Sequence, residues 1–160
     1  MSTIQSEKQI LEKLAGYRKA GSLKDVPDIL NILRENPEGE VSKVAILLLS
    51  DIKDDKMISI LMDALHNPEN ETIRKHLVQA CWESGLDYTD QLAYFVALFL
   101  VMDYLGAIEA FSLIENTLLD HDVSENIKND MVTKIRAVIL DLPEHKKNLG
   151  LELIHLLEGR

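Results

Sequence analysis

Apolar residues recur at spacings of three and four over nearly the whole chain, and this periodicity restricts the fold more than any other feature. Val41, Val44, Ala45, Leu48 and Ile52, for example, fall on one face of a helix. No segment has a comparable claim to the alternation of a half-buried strand. The pattern predicts an all-α fold of about nine helices. We place them near residues 3–16, 23–35, 40–52, 55–66, 71–84, 89–101, 103–119, 124–141 and 144–158.

Residues that favour helix ends separate these segments. Ser6, Thr89 and Asp122 are the predicted N-caps, because a short polar side chain can accept hydrogen bonds from the first free backbone N–H groups. Gly85 is the predicted C-terminal cap, where a left-handed backbone conformation is common. No linker is long enough to divide the chain. At 160 residues, the usual size of one domain, it is expected to form a single domain over residues 1–160.

Cysteine content and the N-terminal segment bear on location. Cys81 is the only cysteine, which excludes an intramolecular disulfide and fits a reducing compartment. Residues 1–14 mix charged and apolar residues, unlike the apolar stretch of a signal peptide. These features predict a cytoplasmic location.

The formal net charge of −10 limits the partners. Affinity for DNA or RNA depends on cations that replace condensed counterions, so we expect no nucleic-acid partner. Anionic membrane surfaces are disfavoured for the same reason. An acidic surface keeps a protein in solution and attracts basic partners.

Two turns share the sequence pattern NPExE. They are residues 36–40 and 67–71, 31 residues apart, and each lies between a Leu-rich helix and a more mixed one. A fixed spacing of this size between similar helix pairs is typical of a repeat array, in which each unit buries its apolar face against its neighbours.

The segment 61–81 resembles repeats of the HEAT and armadillo type. Asn67 stands at the turn, Ile73 and Arg74 form the pair that opens the second helix, and Ala80 occupies a small position. The resemblance is clearest over residues 22–84 and extends beyond them only in layout. It implies a right-handed, solenoid-like stack of about four helical hairpins, the superhelix of armadillo-type proteins, which binds partners rather than catalysing a reaction. An irregular helical bundle is the alternative.

Between His76 and Ile127 there is no lysine or arginine. The segment holds nine acidic residues and seven of the eight aromatic residues of the chain. Unbalanced carboxylates attract a cationic segment, and neighbouring aromatic rings can anchor it through cation–π contacts. The predicted partner-binding residues are Trp82, Glu83, Asp87, Tyr88, Asp90, Asp103 and Tyr104.

The same segment also contains a helix that is apolar on every side, residues 92–102. Such helices are normally buried, so Phe95 and Phe99 are expected in the core. Trp82, Tyr88 and Tyr104 are expected to be more open, because they lie near helix ends. A homodimer contact through residues 89–111 is a further alternative.

Patterns that carry chemistry are weak in this sequence. Glu152 and His155 form one Glu-x-x-His pair, whereas a di-iron site in a helical bundle needs two such pairs and two more glutamates. The cluster 120–122 lacks the ligand spacing of structural zinc sites. Cys81 lies on an apolar stripe, where a thiol is inert. We therefore predict no enzymatic activity, no cofactor and no metal.

The predicted function is a non-enzymatic protein–protein interaction module, or adaptor, that presents an acidic, aromatic-containing surface to a basic segment of another protein. An acidic inhibitor or immunity protein of a basic enzyme is one alternative, and a self-associating structural protein is another. A helical enzyme is the least favoured.

Overall fold

The structure, a computed structural model, describes the backbone of residues 3–20 and 22–159, and the side chains of residues 7–18 and 22–159. Within these residues the fold is all-α, as predicted, with nine α-helices and no strand. The helices are α1 (Thr3–Ala20), α2 (Val26–Glu35), α3 (Glu40–Asp51), α4 (Lys56–His66), α5 (Arg74–Ser84), α6 (Leu92–Val101), α7 (Tyr104–Asp120), α8 (Glu125–Val138) and α9 (Glu144–Leu157).

Predicted helix ends differ from the observed ones by a few residues, for local reasons. Gly85 does cap α5 with a left-handed backbone, φ 71°. The N-cap of α8 is Ser124, not Asp122, because the Ser124 hydroxyl accepts a hydrogen bond from the backbone N–H of Ile127 at 3.3 Å. Ser6 lies inside α1, so the prediction of an N-cap there is wrong.

The two NPExE turns share a sequence pattern but differ in conformation, and their fourth residues differ. In the first, Gly39 takes a φ of 86° and α3 begins at Glu40. In the second, Asn70 stands at the matching place and the chain continues as a 3₁₀ helix, Pro68–Ile73. A positive φ costs an asparagine more free energy than a glycine. The second turn therefore keeps negative φ angles and continues as a 3₁₀ helix up to the start of α5.

The chain forms two compact units, one within Met1–Leu86 and the other within Asp87–Arg160. The single domain that the sequence predicts over residues 1–160 stays a prediction. In the first unit, α3 packs against α1, α2 and α5, and α5 packs against α4. Arg34 at the end of α2 donates a 2.7 Å hydrogen bond to the buried Asn70 side chain, whose amide donates to the Ala64 carbonyl at 2.8 Å.

In the second unit each helix packs against two others. Helix α6 contacts α7 and α8, and α9 contacts α7 and α8. Phe95 and Phe99 on α6 are fully buried, which confirms the prediction that they belong to the core. The helix is not buried on every side, however. Its exposed face carries Ala93, Ala97 and Val101, which follow one another at spacings of four.

Candidate functional site

The seven predicted partner-binding residues do not form one cluster. Trp82 and Glu83 are half-buried on α5 of the first unit, where the Gln79 amide donates to the Glu83 carboxylate at 2.9 Å. The other five belong to the second unit, three at the start of α6 and two at its end. A helix of ten residues is about 15 Å long, so these two groups are separate.

At the start of α6, Asp87 holds two loops together. Its carboxylate accepts hydrogen bonds from the backbone N–H of Thr89 at 2.9 Å and from the Thr89 hydroxyl at 2.5 Å. These bonds, aided by the charge of His121, lower the pKa of Asp87 below its ordinary value. Nδ1 of His121 lies 3.7 Å from the same carboxylate. The contact brings the loop before α6 against the loop between α7 and α8.

Tyr88 is buried, contrary to the expectation that its place near a helix end would expose it to solvent. Its side chain is 1% exposed and its ring meets the edge of Phe95, with centroids 5.8 Å apart. Such aromatic pairs contribute to core packing. Tyr88 therefore supports the start of α6 from inside.

At the end of α6, the predicted binding residues have structural contacts. Asp103 is the N-cap of α7, and its side chain accepts a 2.9 Å hydrogen bond from the backbone N–H of Gly106. Tyr104 is exposed and meets the ring of His145 edge-on at 5.2 Å. Lys146 is 5% exposed and donates to the carbonyl oxygens of Leu100 at 2.6 Å and Met102 at 2.8 Å.

Replacing Asp103 by alanine should lower the free energy of unfolding by about 0.5–2 kcal/mol, because the first turn of α7 loses its cap. Urea unfolding measures the change. Asp90→Ala is the matched control and should stay within about 0.5 kcal/mol, since Asp90 is exposed and its side chain makes no hydrogen bond or ion pair to the described residues. Equal losses in the two variants would contradict the capping role.

Charge in the second unit is unbalanced, with 13 acidic and six basic residues in Asp87–Arg160. Four of its bases are already engaged: Lys146 binds carbonyl oxygens, and Lys128, Arg136 and Lys147 pair with carboxylates of the same unit. Among the described residues of the unit, Lys134 is the one base without such a contact. Seven carboxylates there have no hydrogen bond or ion pair: Asp90, Glu115, Asp120, Asp122, Asp130, Asp141 and Glu152.

A groove of about 400 Å³ lies between the turn before α6 and helix α8. Its lining includes Asp90, Ala93, Ile127, Asp130, Met131 and Lys134. Asp90 is one of the predicted partner-binding residues, whereas the α8 residues of the groove are not among them. Asp130 and Lys134 are four apart on one helix, which in sequence looks like an ordinary exposed pair. Only the packing of α8 on α6 makes them neighbours of Asp90.

The residues considered above for catalysis or metal binding are Cys81, Glu152 and His155, and none belongs to a metal-binding group among the described residues. Cys81 is fully buried on α5. Glu152 and His155 are both exposed on α9. The described part of the chain has no group of three or more His, Cys, Asp or Glu side chains arranged to hold a metal ion. No helix within it combines the length and apolar character needed to cross a membrane.

Comparisons with protein-family models, with curated proteins and with solved structures found no significant match to this chain. The HEAT and armadillo resemblance stays a prediction.

Proposed function

We propose that this chain is a non-enzymatic interaction module that binds a cationic segment of another protein through the acidic surface of its second unit. One observation carries the proposal. Seven carboxylates of the described part of this unit are without a partner, against one lysine, because the remaining described bases are engaged internally. An uncompensated field of this sign attracts cations and speeds their association.

One part of this surface is at the start of α6. Asp87 binds His121, so Asp120 and Asp122, which flank His121, lie close to the loop that carries Asp87. Both flanking carboxylates are exposed. The contact between His121 and Asp87 places the two loops next to each other, and the neighbouring Asp120 and Asp122 face solvent. This arrangement favours Asp120 and Asp122 over Asp103 as contacts for a partner.

The packing within each unit supports a stack of helical hairpins of the HEAT type. In such a stack, each helix packs against its hairpin partner and against the corresponding helix of the next hairpin. The hairpins α6–α7 and α8–α9 have these contacts, with α6 against α8 and α7 against α9. In the first unit α1, α3 and α5 are the corresponding helices, and α3 contacts both of the others. The proposal also keeps the cytoplasmic location that the single cysteine predicts.

Reversing two charges tests the proposal. The Asp120→Lys, Asp122→Lys double variant should bind a labelled lysine-rich helical peptide about five- to ten-fold more weakly at about 0.1 M salt. Each exposed charge pair contributes on the order of 0.2–1 kcal/mol, and the reversal replaces two attractions with two repulsions. Fluorescence anisotropy measures the affinity. Folding should persist, because a lysine near the C-terminus of α7 suits the helix dipole.

The matched control is Asp63→Lys, Glu71→Lys, which makes the same change in net charge at exposed positions of the first unit. Its affinity should remain within about two-fold of the wild type, since charges that do not touch the peptide are largely screened beyond about 10 Å at this salt concentration. Equal weakening in both double variants would show that only net charge matters, and would overturn the proposal. Light scattering of the same samples tests the alternative of self-association through residues 89–111.

A further inference from the structure

The groove between the turn before α6 and helix α8 combines an apolar floor with a charged rim. Met131 is 2% exposed, Ile127 is half-buried, and Ala93 lies on the exposed face of α6. Asp90 and Asp130 are exposed and are two of the carboxylates without a partner. Its volume of about 400 Å³ falls within the usual range of binding pockets, roughly 300–1,000 Å³.

We propose that this groove holds an apolar side chain of the partner, and that a lysine or arginine within one helical turn of that side chain binds Asp90 and Asp130. This inference rests on the proposed function and names the chemistry of the partner: a short segment that is both apolar and cationic. The small side chain of Ala93 leaves the groove open from the α6 side. Met131 supplies an adaptable floor, because an unbranched thioether can pack against side chains of different shape.

Charge complementarity determines the occupant. Asp90 and Asp130 have no ion pair within the described residues, which favours a Lys or Arg of the partner. An arginine guanidinium can bind carboxylates through two parallel hydrogen bonds. Lys134 also lines the groove, one helical turn beyond Asp130, and it has no ion pair within the described residues. It repels a segment that is cationic along its whole length. The groove therefore selects a segment whose positive charge lies at one end.

Two peptide probes separate the groove from the acidic surface as a whole. Both are short, labelled, alanine-based helices with two arginines at one end, and they differ in a central pair of leucines that the second peptide replaces with serines. The leucine peptide should bind about ten-fold more tightly, as expected for the burial of an aliphatic side chain. A third peptide with one arginine at each end should bind more weakly than the leucine peptide, and replacing Lys134 by glutamine should reduce that difference.

Filling the groove is the direct test. Ala93→Trp should reduce binding of the leucine peptide to the level of the serine peptide and leave the serine peptide unchanged. Ala15→Trp is the matched control at an exposed helical position of the first unit, and it should bind both peptides as the wild type does. The second variant is Asp90→Asn, Asp130→Asn, which removes two charges with little change in side-chain size. It should weaken the binding of both peptides.

Methyl NMR provides a readout inside the groove. The Met131 methyl signal should shift when the leucine peptide is added, and the Met57 signal, from a buried residue of the first unit, should not. Equal affinity for the two peptides, or an unchanged Met131 signal, would contradict the proposal that the groove binds an apolar side chain of the partner. If the groove proposal fails in this way but both peptides still bind the Asp120→Lys, Asp122→Lys variant more weakly, the proposed function still stands. If neither peptide binds, both proposals fall.

Discussion

Replacing Phe99 by alanine should destabilise the second unit by about 3–5 kcal/mol, the usual loss for truncating a fully buried aromatic residue. Phe99 lies on α6, which packs against both α7 and α8. Removing its ring leaves a cavity in the core. Urea unfolding followed by circular dichroism measures the loss.

Val101→Ala is the control on the same helix. Val101 is 73% exposed, so its truncation should cost less than about 0.5 kcal/mol. If the two substitutions destabilise the protein equally, α6 does not occupy the core position described above. The comparison also bears on function, because the groove depends on α6 holding Asp90 and Ala93 beside α8.

Helix positions could be predicted from the sequence because local rules determine them. Apolar spacing places every helix except α1 within about three residues of its observed ends. The rules are less effective where two polar residues compete for the same cap, as Asp122 and Ser124 do before α8. A shared pattern can also fold differently, as the two NPExE turns show, because their fourth residues differ: Gly39 adopts a positive φ and Asn70 does not.

The candidate site could be predicted only in part. The deficit of bases between His76 and Ile127 can be read from the sequence, since it depends on composition alone, and its role in binding stays a prediction. Which carboxylates are free depends on tertiary contacts. The sequence does not show that Asp103 caps a helix, or that Asp130 comes to lie beside Asp90 across 40 positions of chain. Tyr88 lies near a helix end but packs inward on Phe95.

Replacing Lys146 by alanine should destabilise the second unit by about 2–4 kcal/mol. The last carbonyl groups of a helix have no partner within it, and Lys146 satisfies those of Leu100 and Met102 with hydrogen bonds of 2.6 and 2.8 Å. Truncation leaves the carbonyl oxygens of Leu100 and Met102 without this hydrogen-bond donor. It also removes the buried aliphatic part of the Lys146 side chain. Lys147→Ala is the control, because Lys147 makes only an exposed ion pair with Glu144 at 3.7 Å and should lose about 0–1 kcal/mol.

The pH dependence of this effect has a definite sign. Burial lowers the pKa of Lys146 from its ordinary value of 10.5, and the nearby Asp103 carboxylate opposes that change. Between the lowered pKa and 10.5 the unfolded chain binds more protons than the folded one, so the contribution of Lys146 to stability rises with pH. The stability difference between the wild type and Lys146→Met should therefore grow as pH rises through that window, while the groups common to both proteins cancel. A difference that stays flat would contradict the lowered pKa of Lys146. A Lys147→Ala loss as large as that of Lys146→Ala would contradict the role of Lys146 as the buried cap of α6.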